Sequence, residues 1–179
     1  MEEAIKVKLQ PLSAEAFRPY GQMLESKQPL FPEVEPGEGR VAMELLRVKR
    51  HANSTRLEQL AVHFSYNQTF IPLRGALVLI VAPAPRNHEA GQAAYELDYG
   101  QLKAFVLEPG QAAIIEKGVW HSATVLGPEC TFINVTRKNL GEGTTQIEGL
   151  DGRIPVDTRT YIEMVDVKKR DNRVIELEL

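Results

Sequence analysis

From Arg40 onward the chain is a succession of short apolar segments separated by glycine and proline turns, and this pattern constrains the fold most. The segments that read as strands are Val41–Val48, Leu57–Tyr66, Ala76–Ala82, Lys103–Leu107, Ala112–Ile115, Val119–Leu126 and Thr131–Arg137. Turn sequences such as Leu73-Arg74-Gly75, Glu108-Pro109-Gly110 and Gly127-Pro128-Glu129 separate them. Short strands at this spacing are typical of a β-sandwich or a β-barrel. We therefore expect an all-β fold.

The N-terminal part adds two elements before this series. Ile5–Leu9 alternates apolar and polar residues and is predicted as a strand. Ser13 is a suitable N-cap for a short helix at Ala14–Arg18. Residues 27–39 are rich in proline, glycine and acidic residues, which predicts a loop on the rim of the fold.

A chain of 179 residues is predicted to be a single domain over residues 1–179. Its character changes after Arg137, so residues 140–179 are described as a C-terminal extension of uncertain role. Tyr161–Val167 and Val174–Leu179 have strand-like patterns within it. The last segment alternates apolar and acidic residues, which fits either an edge strand or pairing with a second subunit.

Charge and cysteine content exclude some classes of protein. The chain has 21 basic and 24 acidic residues and a net charge of -3, which argues against a nucleic-acid-binding surface. Cys130 is the single cysteine, so an intramolecular disulfide is impossible and a reducing compartment is favoured. No stretch approaches the ~18 apolar residues of a membrane span. These observations predict a cytoplasmic protein with no membrane partner and with Cys130 as a buried thiol.

Two histidines stand on predicted strands that are far apart in the sequence. His63 shares one strand face with Ala61 and Ser65, opposite an apolar face formed by Leu60, Val62, Phe64 and Tyr66. His121 shares a face with Val119, Ala123 and Val125. A lone histidine on an apolar face is more often a core residue than a functional one. Strands of a barrel converge on one cavity, however, so we expect His63 and His121 to share a pocket.

Two sequence motifs around these histidines resemble those of the cupin superfamily. Glu108-Pro109-Gly110 followed by His121 resembles the second cupin motif, and the segment from His63 to Gly75 resembles the first. Ser65 stands where the first motif usually has another histidine, and Gln68 stands where it usually has a glutamate. The resemblance implies a cupin-type double-stranded β-helix, that is, a jelly-roll barrel.

Within the cupins, the chain is most similar to the ureidoglycolate lyases of allantoin degradation, also called ureidoglycolate hydrolases. The similarity rests on Phe17–Glu25, on Gln68–Gly75 and on Val119-Trp120-His121, and it covers about Leu9 to Arg137. It implies a carbon–nitrogen lyase of purine catabolism that converts ureidoglycolate to glyoxylate and urea.

The resemblance also suggests roles for particular residues. His63 and His121 are the expected catalytic residues, because imidazole exchanges protons near neutral pH. Four further residues are candidate contacts for the substrate: Gln68, Arg137, Arg40 and Arg74. Arg137 is the first choice for the substrate carboxylate, because a guanidinium can hold a carboxylate through two hydrogen bonds.

A divalent metal, with nickel suspected from the family, is a candidate cofactor held by His63, Gln68 and His121. Two histidines and a glutamine form a thin ligand set, so we expect weak or optional binding. The expected partners are a small-molecule substrate and a second copy of the chain in a homodimer. The alternatives are another cupin enzyme, either a dioxygenase or an isomerase, and a non-catalytic ligand-binding cupin.

Overall fold

The computed structural model describes residues 2–24, 40–52, 54–64, 66–84, 96–138, 153–157 and 162–179. The loop predicted at residues 27–39 lies outside these ranges, as do Ser65 and most of the first half of the C-terminal extension. No helix in the described ranges is long and apolar enough to cross a membrane.

The described residues form mostly β-strands. The strands are β1 (Glu3–Pro11), β2 (Gly21–Met23), β3 (Arg40–Lys49), β4 (Arg56–Leu57), β5 (Gln59–His63), β6 (Gln68–Arg74), β7 (Leu77–Ala82), β8 (Lys103–Leu107), β9 (Ala113–Ile115), β10 (Trp120–Thr124), β11 (Glu129–Lys138), β12 (Arg153–Asp157), β13 (Ile162–Asp166) and β14 (Arg173–Glu178). The helices are α1 (Ala14–Phe17) and α2 (Val167–Asp171), and a 3-10 turn spans Tyr99–Gln101.

The strands build two sheets. The large sheet has the order β12-β13-β5-β10-β7-β8-β1-β14-β4, and the small sheet has the order β2-β9-β6-β11-β3. The pairing is antiparallel except where β1 runs parallel to β8 and to β14. Two mostly antiparallel sheets that pack face to face confirm the predicted all-β, cupin-type barrel.

A hydrophobic core fills the space between the two sheets. Alternation along β7 sends Leu77, Leu79 and Val81 into this space. Phe70 and Phe132 meet them from the small sheet. At one end of the space, α1 inserts Phe17, whose ring lies 5.3 Å from that of Phe105 in an edge-to-face contact. Ser13 caps α1 through its side-chain oxygen as predicted, although the helix ends at Phe17 rather than Arg18.

A second core lies on the opposite face of the large sheet. Trp120 of β10 and Val62 of β5 pack there with residues from the far end of the same sheet, among them Ile175 of β14. The large sheet must therefore curl until its two ends approach each other. Because β14 pairs with β1 on one side and with β4 on the other, it is an internal strand. The sequence left open whether Val174–Leu179 is an edge strand or pairs with a second subunit; the structure instead pairs it with β1 and β4 of the same chain.

Two other strand predictions needed correction. The predicted strand Leu57–Tyr66 is divided at Glu58 into β4 and β5 and ends at His63. Leu73 and Arg74, predicted as part of a turn, are the last residues of β6, and only Gly75 turns the chain. Pro72 obscured this strand in the sequence, because proline lacks the N–H that a sheet ladder uses.

Gly75 provides a test of this turn. It has φ of +74°, and a Cβ added there would lie 2.2 Å from the Glu129 carbonyl oxygen. Gly110 has φ of +90° with nothing within 4 Å of such a Cβ. We expect Gly110→Ala to lower the free energy of unfolding by about 1–2 kcal/mol through backbone strain alone. Gly75→Ala should lower it by about 3 kcal/mol or more, because the strain and the collision add.

The measurement is urea denaturation of both variants beside the unmodified protein. Equal losses in the two variants would show that the Glu129 carbonyl does not collide with a methyl group added at Gly75.

Candidate active site

Strand pairing brings the two histidines together. β10 runs antiparallel to β5 with His121 opposite Ala61, so His63 is its diagonal neighbour on the same face. The backbone N–H of Gly118 donates to the His63 carbonyl at 2.7 Å and ties the two segments beyond the strand pair. The centroids of the two imidazole rings lie 4.8 Å apart, with 33° between their planes.

Gln68 reaches this pair from the small sheet. Its side-chain oxygen, Oε1, lies 2.7 Å from Nε2 of His63 and 2.8 Å from Nε2 of His121. The three side chains are buried, with 7%, 5% and 9% of the surface of His63, His121 and Gln68 exposed. One amide oxygen therefore sits between two imidazoles at the boundary of the two sheets.

The three polar side chains line a cavity of about 340 Å³. The other described residues of its wall are mostly small or apolar: Gln59, Leu60, Ala61, Phe70, Ser122, Ala123 and Met164. A larger cleft of about 720 Å³ runs along β1 and contains neither histidine. The smaller cavity is the better candidate, because apolar walls with a few convergent buried polar groups are typical of small-molecule sites.

Both imidazoles are held neutral at neutral pH. Burial lowers the pKa of His121 from 6.5 to about 4. Burial, and secondarily the charge of a protonated His121, hold the pKa of His63 well below 6.5. The hydrogen bond to Gln68 acts in the opposite direction on His63 but is the smaller effect. The pair therefore has two lone pairs available to accept protons or to coordinate a cation.

The tautomer of His121 follows from its backbone contact. Nδ1 lies 2.9 Å from the Val119 carbonyl oxygen, which can only accept, so Nδ1 must carry the proton. Nε2 of neutral His121 then has a lone pair, and it faces the lone pairs of Gln68 Oε1 at 2.8 Å. Two acceptors at this distance repel each other, so the contact favours a proton or a cation between them. The site is therefore short of one positive charge in its neutral form.

His63 differs from His121 at its second nitrogen. Its Nδ1 is buried and has no hydrogen-bond partner among the described residues. The Tyr66 ring stacks beside the imidazole, with 4.5 Å between centroids, and the Tyr66 hydroxyl accepts a hydrogen bond from Thr136 at 3.3 Å. When Nε2 of His63 donates to Gln68, Nδ1 is left with an unused lone pair.

The donor set fits a divalent cation, although none of the ligands would be negatively charged. Two imidazole nitrogens and one amide oxygen converge, and the uncompensated lone pair of His121 needs a positive charge. The Nδ1 bond of His121 to a backbone carbonyl is the usual support of a metal-bound imidazole. The described residues contain no group of three or more His, Cys, Asp and Glu that could hold a metal. Without a carboxylate, such a cation would be held weakly.

The structure does not place the predicted arginines in the cavity wall. Arg74 ends β6, six residues and about 20 Å from Gln68 along the strand, and it is exposed. Arg40 is exposed at the start of β3. Arg137 is 8% exposed and follows Thr136 in β11, so it points to the face of the small sheet opposite Thr136.

Two polar residues that sequence reasoning missed continue the site. Gln68 donates through Nε2 to Oδ1 of Asn134 at 2.8 Å, and Asn134 donates through Nδ2 to Oε2 of Glu44 at 3.0 Å. An asparagine between Ile133 and Val135 in an apolar strand was the available signal. Its partner Glu44 could not be found without the register of β3 against β11.

Comparisons with known proteins point in one direction. A family model described as ureidoglycolate lyase matches residues 32–149, which include His63, Gln68, His121 and Asn134. A relative from Agrobacterium fabrum, assigned the same activity, is 31% identical over 159 residues, covering 84% of this chain and 94% of its own. A ureidoglycolate lyase from Chelativorans sp. is 28% identical, over 77% of this chain and 87% of its own.

Among solved structures, a dTDP sugar isomerase from Desulfovibrio desulfuricans overlaps 68% of this chain and 69% of its own. The TM-score is 0.42 and the sequence identity is 17%. An overlap of this extent carries no information about activity.

The neutral histidines predict acid sensitivity of the fold. The unfolded chain binds protons near pH 6.5 and folded His121 near pH 4, so the unfolded state binds more protons between these values. Stability is therefore complete above about pH 6.5 and falls as the pH is lowered. Between about pH 7 and pH 5 we expect His121 to account for a loss of about 2 kcal/mol in the free energy of unfolding.

The measurement is urea denaturation with a metal chelator present, for the unmodified protein and for His121→Asn, which keeps a donor for the Val119 carbonyl. The variant should lose less stability over this range. An equal loss in both proteins would contradict the assignment of a depressed pKa to His121.

Proposed function

The chain belongs to the ureidoglycolate lyase family, and from this premise we propose that His63 and His121 cleave ureidoglycolate to glyoxylate and urea. The observation that carries the proposal is the convergence of both imidazoles on one buried amide oxygen. The family match favours this activity over a dioxygenase, an isomerase or a binding module. The reaction would take its substrate from allantoin breakdown.

The reaction requires one proton to be removed and one to be returned. The substrate hydroxyl loses its proton as its oxygen forms the aldehyde carbonyl of glyoxylate. The bond between that carbon and the urea nitrogen breaks, and the nitrogen takes up a proton to complete urea. The reaction therefore has no net proton change, and two neutral imidazoles that each have one lone pair and one N–H suit it.

His63 is the better general base. Its buried Nδ1 has no hydrogen-bond partner among the described residues, so it can accept a proton without breaking an existing bond. His121 is fixed by Val119 and faces Gln68, which suits it to hold the second proton or a cation. A depressed pKa makes each imidazolium a strong acid, so a proton accepted from the hydroxyl is readily passed to the urea nitrogen.

Gln68 is the proposed substrate contact within the cavity. The Gln68 amide stands where it can orient the hydroxyl or the ureido group. Arg137, the sequence-based candidate for the substrate carboxylate, lies on the opposite face of the small sheet, and exposed Arg40 and Arg74 also lie outside the described cavity wall, so none of the three is assigned this role. We further propose a cytoplasmic location, which rests on the buried, reduced thiol of Cys130.

A divalent cation is proposed as an optional cofactor, with nickel as the first ion to try. His121 would hold it through Nε2 and Gln68 through Oε1, and His63 would contribute Nε2 in the tautomer that carries its proton on Nδ1. When bound, it would stabilise negative charge that develops on the substrate oxygen.

The test is the initial rate of glyoxylate release from racemic ureidoglycolate, corrected for spontaneous decay, with added nickel or manganese and with chelator. We expect His63→Ala and His121→Ala each to lower the rate by about 100-fold or more, because each removes a proton-transfer group. His51→Ala should leave the rate unchanged, since His51 is exposed and is not among the described residues of the cavity wall.

Circular dichroism would show that the variants are folded. An unmodified protein with no rate above the spontaneous background under any metal condition would refute the activity. Full activity in both histidine variants would refute the roles assigned to them.

We also propose that a second copy of the chain covers the outer face of β3. Val41, Met43 and Leu45 alternate on this face and are 61%, 72% and 68% exposed. Among the described strands, β3 stands at the end of the small sheet, so its outer backbone edge is open to another strand. Two copies related by a two-fold axis would each cover the apolar row of the other.

Light scattering after size-exclusion chromatography tests this arrangement. We expect a mass of twice 20.0 kDa for the unmodified protein and a shift toward 20.0 kDa for Leu45→Glu, which places a charge in the apolar row. Leu179→Glu is the matched control, because Leu179 is 84% exposed on β14's C-terminal side. A monomer at every concentration, or a dimer unaffected by Leu45→Glu, would contradict the proposal.

A further inference from the structure

A row of polar side chains crosses the small sheet from the candidate site to its edge. Asn134 on β11 lies opposite Glu44 on β3, and Gln68 on β6 is its diagonal neighbour. Gln68 and Asn134 are 9% and 6% exposed, whereas Glu44 is half-buried. The next pair along the same face, Phe132 and Leu46, is apolar and packs against the core between the sheets.

The hydrogen-bonding chemistry of this row fixes the orientation of its two carboxamides. An ionised carboxylate can only accept hydrogen bonds, whereas a carboxamide has an accepting oxygen at one side and a donating NH₂ at the other. Glu44 therefore requires the NH₂ of Asn134, which turns the Asn134 oxygen toward Gln68. That oxygen in turn requires the NH₂ of Gln68. The Gln68 oxygen is then the atom that must face the imidazoles.

This orientation is not the one that the histidines alone would select. Nε2 of neutral His121 has a lone pair, so an NH₂ group from Gln68 would satisfy it directly. Reversing Gln68, however, places its oxygen against the Asn134 oxygen, and reversing Asn134 as well places that oxygen against the Glu44 carboxylate. Glu44 therefore prevents the orientation in which the Gln68 NH₂ group would face His121.

We propose that Glu44 is a positioning residue that acts through Asn134 to hold the Gln68 oxygen toward His63 and His121. Its effect passes to the imidazoles through the carboxamides of Asn134 and Gln68. The held oxygen keeps His63 as the Nε2–H tautomer, with Nδ1 free to accept a proton. It also leaves the lone pair of His121 ready for a proton or a cation. The kinetic consequence rests on the proposed lyase function, whereas the tautomer does not.

The decisive variant is Glu44→Gln, which has the same shape and can present an NH₂ group to Asn134. The whole row can then reverse, and His63 should change from the Nε2–H tautomer to the Nδ1–H tautomer. Protonated and unprotonated ring nitrogens give well-separated ¹⁵N signals. The measurement is a long-range ¹H–¹⁵N correlation spectrum of ¹⁵N-histidine-labelled protein at neutral pH with a metal chelator.

Two further variants keep the result interpretable. Glu44→Asp retains an acceptor-only group and should preserve the tautomer of His63. Glu129→Gln neutralises a carboxylate of β11 that pairs with Arg47 rather than with Asn134, so the spectrum should not change. If Glu44→Gln fails to fold, Asn134→Val interrupts the same row with a strand-forming residue and should produce the same change in tautomer.

In the glyoxylate assay, Glu44→Gln should lower kcat by about tenfold with little change in KM, as expected when the support of a catalytic group is removed. An unchanged His63 tautomer in folded Glu44→Gln and Asn134→Val proteins would overturn the proposal. If the tautomer changes in Glu44→Gln but the unmodified protein has no lyase activity, the positioning role is supported and the proposed function is refuted.

Discussion

The contact of the Gln68 oxygen with two imidazoles is the interaction on which the arrangement of the site depends. It links the large sheet, which carries both histidines, to the small sheet, which carries Gln68. Buried polar groups without partners are strongly unfavourable, so the hydrogen bond between His63 and Gln68 favours one approach of the two sheets at this level of the barrel. Elsewhere between the sheets, apolar side chains such as Leu79, Phe105 and Phe132 can adjust by repacking.

The alternation of side chains along strands was predictable from the sequence and located both histidines. Val62 and Trp120 point into one core, while His63 and His121 point to the other side of the same sheet. What the sequence did not reveal depends on register between distant strands. Asn134 becomes a partner of Glu44 only because β11 pairs with β3 at that offset. Cross-strand neighbours of this kind have no signature in a single sequence.

The misplaced elements have similar physical causes. The alternation of apolar and acidic residues in β14 is typical of a strand with one solvated face, but it does not distinguish an edge strand from an internal one. Curling of the large sheet places β14 between β1 and β4, while Glu176 stays partly exposed and pairs with Arg56. β6 was not predicted as a strand; it contains Pro72, which cannot donate to a ladder, yet the residues around it pair with β11.

The location of charge explains why this site can be both buried and reactive. A glutamate at position 68 would place a carboxylate between the imidazoles, stabilise their protonated forms and raise the pKa of both. Gln68 instead leaves the imidazoles neutral, since burial is then the dominant influence on their pKa. The negative charge stands two carboxamides away at half-buried Glu44, near solvent, where its desolvation penalty is smaller. Through the hydrogen-bonded row, the carboxylate sets the orientation of both carboxamides while the charge itself stays outside the cavity. A site built this way presents an oxygen to its histidines and still leaves them as bases at neutral pH.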